Sequence, residues 1–327
     1  MPADPSARSS LLSVSVVIRS YQRRESLLRI LKALRAQDHP DFEVIVVEQS
    51  GFDAVARQPL DELARDDPRF KLHYSEPLGV GGARDAGWRL ASREIVLAID
   101  DDDVPLGHAF VSSHARNYLD ANVVAVTGRH VYSEAERCGY ARRGTARRRC
   151  LSYNFFGYPH AYCRLDERIE SVQWVHGSNG SVRKSVIERV GGWDPRSVDF
   201  DEHPFCLPLQ RLLRAGERLV FDPTPVLLRS KDIPGGAGVR YCGVQATYRS
   251  WFRYYHRVVF KHRPLRSLLF YPLLPLASCF SAARWVWTDS KLHRGVFDRL
   301  RDTCRAVLFS PSGIFTSCSC SCSAPRG

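Results

Sequence analysis

The stretch Ile95-Val96-Leu97-Ala98-Ile99-Asp100-Asp101-Asp102-Asp103-Val104-Pro105 decides how this chain is read. Apolar, strand-favouring residues run straight into four carboxylates, and a proline closes the segment. Adjacent like charges repel, so an ordinary solvated turn gains nothing from crowding them. At the C-terminal edge of a buried parallel strand they have a use, because ligands of open α/β sheets bind there. Carboxylate oxygens are hard ligands suited to Mg²⁺ or Mn²⁺, and such an ion can in turn hold a diphosphate. The plainer alternative is a solvated acidic turn, or an N-cap cluster ahead of a helix starting near Leu106.

Outward from this stretch, strand and helix patterns alternate. Residues 14–18 read as a buried strand, and Leu27, Leu28, Leu31 and Leu34 follow at helical spacing. Residues 42–47 give a second strand, 70–74 a weaker third, 84–91 a helix and 95–99 the fourth strand. This alternation predicts an α/β fold: a mostly parallel, Rossmann-like sheet with helices on both faces. Beyond residue 130 the pattern loosens around Arg142, Arg143, Arg147, Arg148 and Arg149, which read as an exposed loop or lid. A strand is expected at 172–175 and a short helix at 182–190, stopped by Gly191-Gly192. A further helix is expected at 207–215, then a strand at 218–221 closed by Asp222-Pro223. The expected organisation is a disordered 1–11, a core domain at 12–230, a helical extension at 231–310 and a disordered tail at 311–327.

With 44% hydrophobic and 25% charged residues the chain is ordinary for a globular protein, which excludes wholesale disorder. The net charge of +12 suits polyanions such as nucleic acid, anionic lipid or phosphorylated substrates, though an Arg-rich genome gives the same excess. Ten scattered cysteines form no disulfide framework, and the start lacks a signal-peptide pattern, so a cytoplasmic location is expected. The tail cysteines Cys318, Cys320 and Cys322 have no partners at zinc spacing. In the extension, Arg249, Arg253, Arg257, Lys261, Arg263 and Arg266 precede an apolar stretch at 268–283 broken by Pro272 and Pro275. A spanning helix needs about 20 apolar residues. This stretch is short for that, so peripheral attachment to an anionic membrane surface competes with a packed helical subdomain.

Taken together, these motifs resemble family-2 glycosyltransferases of the GT-A fold, inverting enzymes that use nucleotide-sugars. The resemblance covers about residues 13–230. Arg19-Ser20-Tyr21-Gln22-Arg23 is similar to the family's Thr-Tyr-Asn-Arg segment beside the nucleotide, and Glu48 stands where relatives carry an Asp that contacts the base. Gly79-Val80-Gly81-Gly82-Ala83-Arg84-Asp85-Ala86-Gly87 matches Gly-x-x-x-Ala-Arg-Asn-x-Gly, with Asp85 in place of the Asn. A Gly-rich loop before a helix N-terminus suits an anion.

The four carboxylates match Asp-x-Asp, with Asp102 as direct metal ligand and Asp100 as the second, nearer the nucleotide. Asp101 is grouped with the donor residues, while Asp101 and Asp103 are expected to turn away from the metal. His176-Gly177-Ser178-Asn179-Gly180 and Gly191-Gly192-Trp193-Asp194 resemble the blocks that shape the sugar and acceptor pocket, which brings in Gly177 and Asn179. The glycines of the second block are expected to let the backbone approach the donor. Trp193 is equally a core anchor or a stacking platform.

A catalytic base is implied next. Asp201 and Glu202 both qualify, with Asp199 in reserve, although the pair lies about three residues, near one helical turn, too far from Arg211. Alternatively, these acids cap the following helix. Arg229 occupies the place of a His that often completes the metal site in relatives, and an Arg there would pair with the diphosphate instead.

The resemblance therefore implies a metal-dependent transferase (Mn²⁺ or Mg²⁺) moving a sugar from a UDP- or other NDP-sugar to a glycan or lipid-linked acceptor. It implies cell-envelope polysaccharide work at the inner membrane face and no nucleic acid. Two rivals are a nucleotidyltransferase of similar shape, and a non-catalytic basic protein binding nucleic acid or anionic membrane. Salt titration separates the last of these, because phosphate-driven binding falls steeply with salt.

Overall fold

Alternation along the first strands sets the layers. In β1 (Val14–Ser20) Val14, Val16 and Ile18 point to one face, while Val17 points to the other; β2 (Phe42–Glu48) divides Val44 and Val46 from Ile45 in the same way. The first face is covered by α1 (Arg24–Arg35), through Leu27, Ile30, Leu31 and Leu34, and by α2 (Ala54–Asp66), through Leu60 and Leu63. After β3 (Phe70–Tyr74), α3 (Gly79–Leu90) packs Trp88 on the second face. The computed structural model describes residues 11–132, 151–155, 159, 167–197 and 201–229, and residues 254, 259, 261 and 265 singly.

Next come β4 (Ile95–Asp100), β5 (Asp103–Pro105), α4 (Phe110–Arg116), β6 (Val123–Tyr132), β7 (Ile169–Val172) and β8 (Gly180–Arg183). The described chain continues with α5 (Lys184–Val190), α6 (Glu202–Leu212) and β9 (Arg218–Arg229). Strand order is β3-β2-β1-β4-β8-β6-β9-β5, with β7 on β9. Strands β1 to β4 are mutually parallel, β6 pairs β9 in parallel, and β5, β7 and β8 run against their neighbours. The sheet is thus mostly parallel and covered on both faces, a GT-A-like arrangement.

Several element boundaries differ from the sequence-based expectation. The expected Gly-rich loop is the first turns of α3, and the Gly81 amide donates to the Ser197 carbonyl at 3.0 Å. Residues 182–183, expected to open the helix, belong instead to the strand Gly180–Arg183, which fills the antiparallel slot between β4 and β6; a short apolar run has no period to tell the two apart. The strand expected at 172–175 lies at Ile169–Val172. Helix α6 begins at Glu202, earlier than residue 207: Pro204 sits in the first turn, where no intrahelical amide bond is lost. Strand β9 continues through Asp222-Pro223 because its pairing with β6 shifts register between Thr127 and Arg129, and bulges tolerate proline. Helix α2, capped by Asp53, whose Oδ1 accepts from the Ala56 amide at 2.8 Å, was not foreseen.

The Arg142–Arg149 block, Asp199, the basic-apolar extension apart from four residues, and both termini lie outside the described residues. Within that extension Tyr254 and Val259 are buried in the core that also holds Phe205 and Leu207. Among the described residues no helix is long and apolar enough to cross a membrane.

Candidate active site

Register builds the centre of the site. Asp100 ends β4, and its parallel neighbour on β1 is Arg19; Asp103 opens β5, and its antiparallel partner on β9 is Arg229. Arg19 Nε donates to Asp100 Oδ1 at 2.9 Å, Arg84 Nη2 reaches the same oxygen at 3.3 Å, and Arg229 Nη2 reaches Oδ2 at 3.0 Å. Arg229 also holds Asp103 with both prongs, Nε to Oδ1 at 2.8 Å and Nη2 to Oδ2 at 2.7 Å. Ser178 Oγ donates to Asp103 as well, and His130 Nε2 lies 3.8 Å from it. Asp102 pairs with Arg23 Nη1 at 2.9 Å. Carboxylate oxygens of Asp100, Asp102 and Asp103 all lie within 4.8 Å of one another. That donor set is hard and compact, and it fits Mg²⁺ or Mn²⁺.

One of the expectations for this run needs correction. Asp103 was expected to turn away, but it belongs to the cluster and is fully buried. Asp101 does turn away, toward the start of α1. It accepts from the Tyr21 amide at 3.0 Å and from Arg23 Nη1 at 2.8 Å, which ties the β1–α1 loop to the end of β4.

Electrostatics separates the carboxylates. Burial alone would raise Asp100, but Arg19, Arg84 and Arg229 outweigh it and hold that carboxyl well below the ordinary range. Burial also acts on Asp103, and Arg229 with His130 brings it down to about 2. Asp102 goes the other way: burial, with Asp103 and Asp100 adding to it, pushes it up to about 7. Burial, then His130 and Arg229, lower His176 well below its usual value, so its imidazole is neutral.

Across the site, Arg84 on α3 joins the aspartates to the head of α6. Its Nε donates to Asp201 Oδ2 at 2.5 Å, and its Nη1 donates to the Gly177 carbonyl. Arg84 and Asp201 are both buried, at 3% exposure each, so this ion pair is internal. Glu202 begins α6 with its side chain 15% exposed. A Cβ on Gly177 would stand 3.1 Å from Glu202 Oε2 and 3.3 Å from Arg84 Nη2, so a side chain there would press on both groups by a few tenths of an ångström.

On the β1–β2 edge Ser20 lies in register with Glu48. Glu48 Oε1 accepts from the Ser50 amide at 2.7 Å and from the Ser50 hydroxyl, while Glu48 Oε2 and Ser20 Oγ are buried without a hydrogen-bond partner among the described residues. Both are the last residues of their strands, and Tyr21 to Arg23 follow directly on β1. Asn179 is placed differently. It is fully buried at φ +60, its Oδ1 faces His114 Nε2 at 2.8 Å, and its Nδ2 donates to the Arg129 and Pro225 carbonyls. Its work is to hold the turn carrying Ser178.

Asp85 also points away from the aspartates, accepting from Trp88 Nε1 at 2.7 Å and Arg89 Nε at 2.9 Å. Gly192 (φ +87) abuts that same Asp85–Trp88 pair, so its bareness serves the approach to α3 rather than to a donor. Trp193 is a core anchor, stacked on Phe205 with centroids 4.4 Å apart.

Sequence reasoning did not place Arg19, His130 or Ser178 at this centre. His130 reaches it only by strand pairing, which leaves no local signal, whereas Arg19 opens the 19–23 segment already likened to the nucleotide side. Ser178 sat inside a recognised block, where the Asn drew the attention.

Comparison with known proteins agrees with this architecture. The sequence profile described as Glycosyl transferase family 2 matches residues 15–191, just over half of the chain. Among relatives, a Campylobacter jejuni GalNAc(5)-diNAcBac-PP-undecaprenol beta-1,3-glucosyltransferase is 32% identical over 98 residues, 29% of this chain and 31% of that one. The chain spans less than a third of the length of several curated relatives it matches. Among solved structures, a Pyrobaculum calidifontis mannosyltransferase in complex with GDP-Man and Mn²⁺ superposes with a TM-score of 0.55 at 15% identity, covering 94% of this chain and 88% of that one. S. aureus TarS 1-349 in complex with UDP-GlcNAc superposes at 0.58 and 14%, covering 93% and 88%. Those likenesses give the GT-A fold, and the sequence match gives the family: the chain belongs to glycosyl transferase family 2.

Proposed function

We propose that this protein transfers a sugar from a nucleoside-diphosphate sugar to an acceptor hydroxyl by single displacement, with inversion. The observation that carries the reading is the placement of carboxylates on both sides of Arg84: Asp100, with Asp102 and Asp103 clustered about it, on one, and Asp201, with Glu202 beside it at the head of α6, on the other. Displacement at an anomeric carbon needs stabilisation of the leaving diphosphate and a base for the acceptor proton, and these two sets suit those two tasks.

Asp102 and Asp100 would hold the divalent metal, with Asp103 completing the set. When bound, the ion supplies positive charge against the departing nucleoside diphosphate. Glu202 takes the acceptor proton on its carboxylate. Asp201 is the poorer base, because Arg84 occupies its carboxylate inside the protein. Ser20, Tyr21, Arg23 and Glu48 line the nucleotide side, and Arg229, seated on Asp100 and Asp103, is the guanidinium available to the diphosphate. The complexes of the two structural neighbours, with GDP-Man and with UDP-GlcNAc, and the polyprenol-linked glycan in the name of the Campylobacter relative support a nucleotide-sugar donor and a glycan or lipid-linked acceptor.

Donor hydrolysis provides the test. Purified protein incubated with UDP-, GDP-, dTDP- and ADP-sugars plus Mn²⁺ is expected to release nucleoside diphosphate from one class and to stop on chelation. No release from any donor, with Mn²⁺ or Mg²⁺, overturns the reading.

A further inference from the structure

Arg229 is unusual in what it occupies. Its Nη2 lies 3.0 Å from Asp100 Oδ2 and 2.7 Å from Asp103 Oδ2, so a single nitrogen bridges two of the three clustered carboxylates. Its Nε takes the other Asp103 oxygen at 2.8 Å. The register of β5 on β9 fixes this contact, since Asp103 and Arg229 are direct cross-strand partners. Arg23 guards the third carboxylate, Asp102, at 2.9 Å. The guanidinium of Arg229 is largely buried, with its side chain 17% exposed, and its charge is permanent at any working pH. A divalent cation entering among these oxygens meets a cation already seated on two of them.

We propose that Arg229 is a built-in competitor of the metal: it neutralises Asp100 and Asp103 in the free protein, and it must swing onto the donor's diphosphate before the ion is held tightly. The inference rests on the metal-dependent transferase reading above and deepens it, because it makes metal and nucleotide bind as one event. A guanidinium suits both partners, since its fork fits carboxylate and phosphate alike. The diphosphate thus releases the aspartates by taking their counter-charge, and by linkage the ion strengthens donor binding to the same degree.

Mn²⁺ alone is the probe, and binding is read by the loss of free-ion signal in electron paramagnetic resonance, without donor or turnover. Arg229→Gln and Arg229→Met remove the charge, and Arg229→Lys keeps it. The neutral variants are expected to bind Mn²⁺ about 5- to 150-fold more tightly than wild type, the span of ordinary coupling free energies. Arg229→Lys is expected to stay near wild type. Because losing Arg229 leaves Asp100 to Arg19 and Arg84 alone and takes from Asp103 its guanidinium partner, thermal unfolding is followed in parallel. Mn²⁺ should raise the melting temperature of the neutral variants far more than that of wild type.

Equal affinities and equal thermal shifts overturn the proposal. So does a neutral variant that stays unfolded in Mn²⁺, because the ion then fails to replace the guanidinium. Adding Asp102→Asn separates the two readings. If wild type and variants bind equally and all lose binding with Asp102→Asn, only the role of Arg229 fails. If none binds Mn²⁺, even with a nucleoside diphosphate present, the metal reading fails with it.

Discussion

Replacing Glu202 by glutamine is expected to lower turnover by about 10² to 10⁴, the usual range for a lost general base, with donor affinity and melting temperature near wild type. Asp201→Asn should behave differently. It leaves the buried Arg84 guanidinium with only the longer carboxylate contact, to Asp100 at 3.3 Å, and breaking the buried pair with Asp201 costs up to about 3–5 kcal/mol, read as a fall in thermal stability. Full activity in Glu202→Gln removes that residue from the role. Asp102→Asn keeps shape and loses charge, so turnover and metal-dependent donor binding should vanish while the thermal transition stays intact. Wild-type turnover in that variant ends the assignment. At this scale the sequence was legible where chemistry is contiguous, as in the Asp100 and Asp102 pair, though not for Asp103 beside them. It was silent where a residue joins from another strand, as His130 does, since pairing register is a long-range property.

Glu43 braces several elements at the opposite edge of the sheet. Its Oε1 accepts from Ser15 Oγ at 2.6 Å, the Ser92 amide at 2.7 Å and Ser92 Oγ at 2.9 Å, and its Oε2 accepts from Lys71 Nζ at 2.5 Å. One carboxylate thereby ties β1, β2, β3 and the lead into β4. Burial would raise its pKa, but Lys71, Ser15 and Ser92 outweigh that and hold it at about 2. A depressed folded-state value stabilises the fold above the unfolded value near 4.5, and this contribution fades as pH falls from there toward 2. Glu43→Gln should therefore lower the melting temperature at pH 7, with the gap to wild type closing between those two pH values. A gap that does not change with pH contradicts the brace.

Element boundaries also explain which parts of the chain could be read. Helix α1 was plain from its leucine spacing. Helix α6 was misplaced because Pro204 and Pro208 look like breakers when the first turn is unknown, and β8 was misread because four residues carry no period.

For the molecule as a whole, the excess of positive charge and the basic run from Arg249 to Arg266 lead us to propose attachment to an anionic membrane face. Each such side chain near an anionic leaflet contributes about 1 kcal/mol. Purified protein is expected to float with anionic liposomes at low salt and to detach at high salt. Protein that stays in solution under both conditions, and remains active, sinks the idea in favour of a subdomain packed on the core, the direction in which buried Tyr254 and Val259 point. The α/β layering was legible across the molecule because alternation and helical spacing are local. The mixed right half of the sheet was not, because β6, β8 and β9 are interleaved out of chain order. The bulge between β6 and β9 has one more consequence, for how the gene can change length. It absorbs a mismatch near residues 222–225, so that the last residues of β9 arrive in step with Asp103. Insertions at 213–217, ahead of the strand, should be silent. One added residue at 226–228 would turn Arg229 to the opposite face and unmake the site in a chain that still folds.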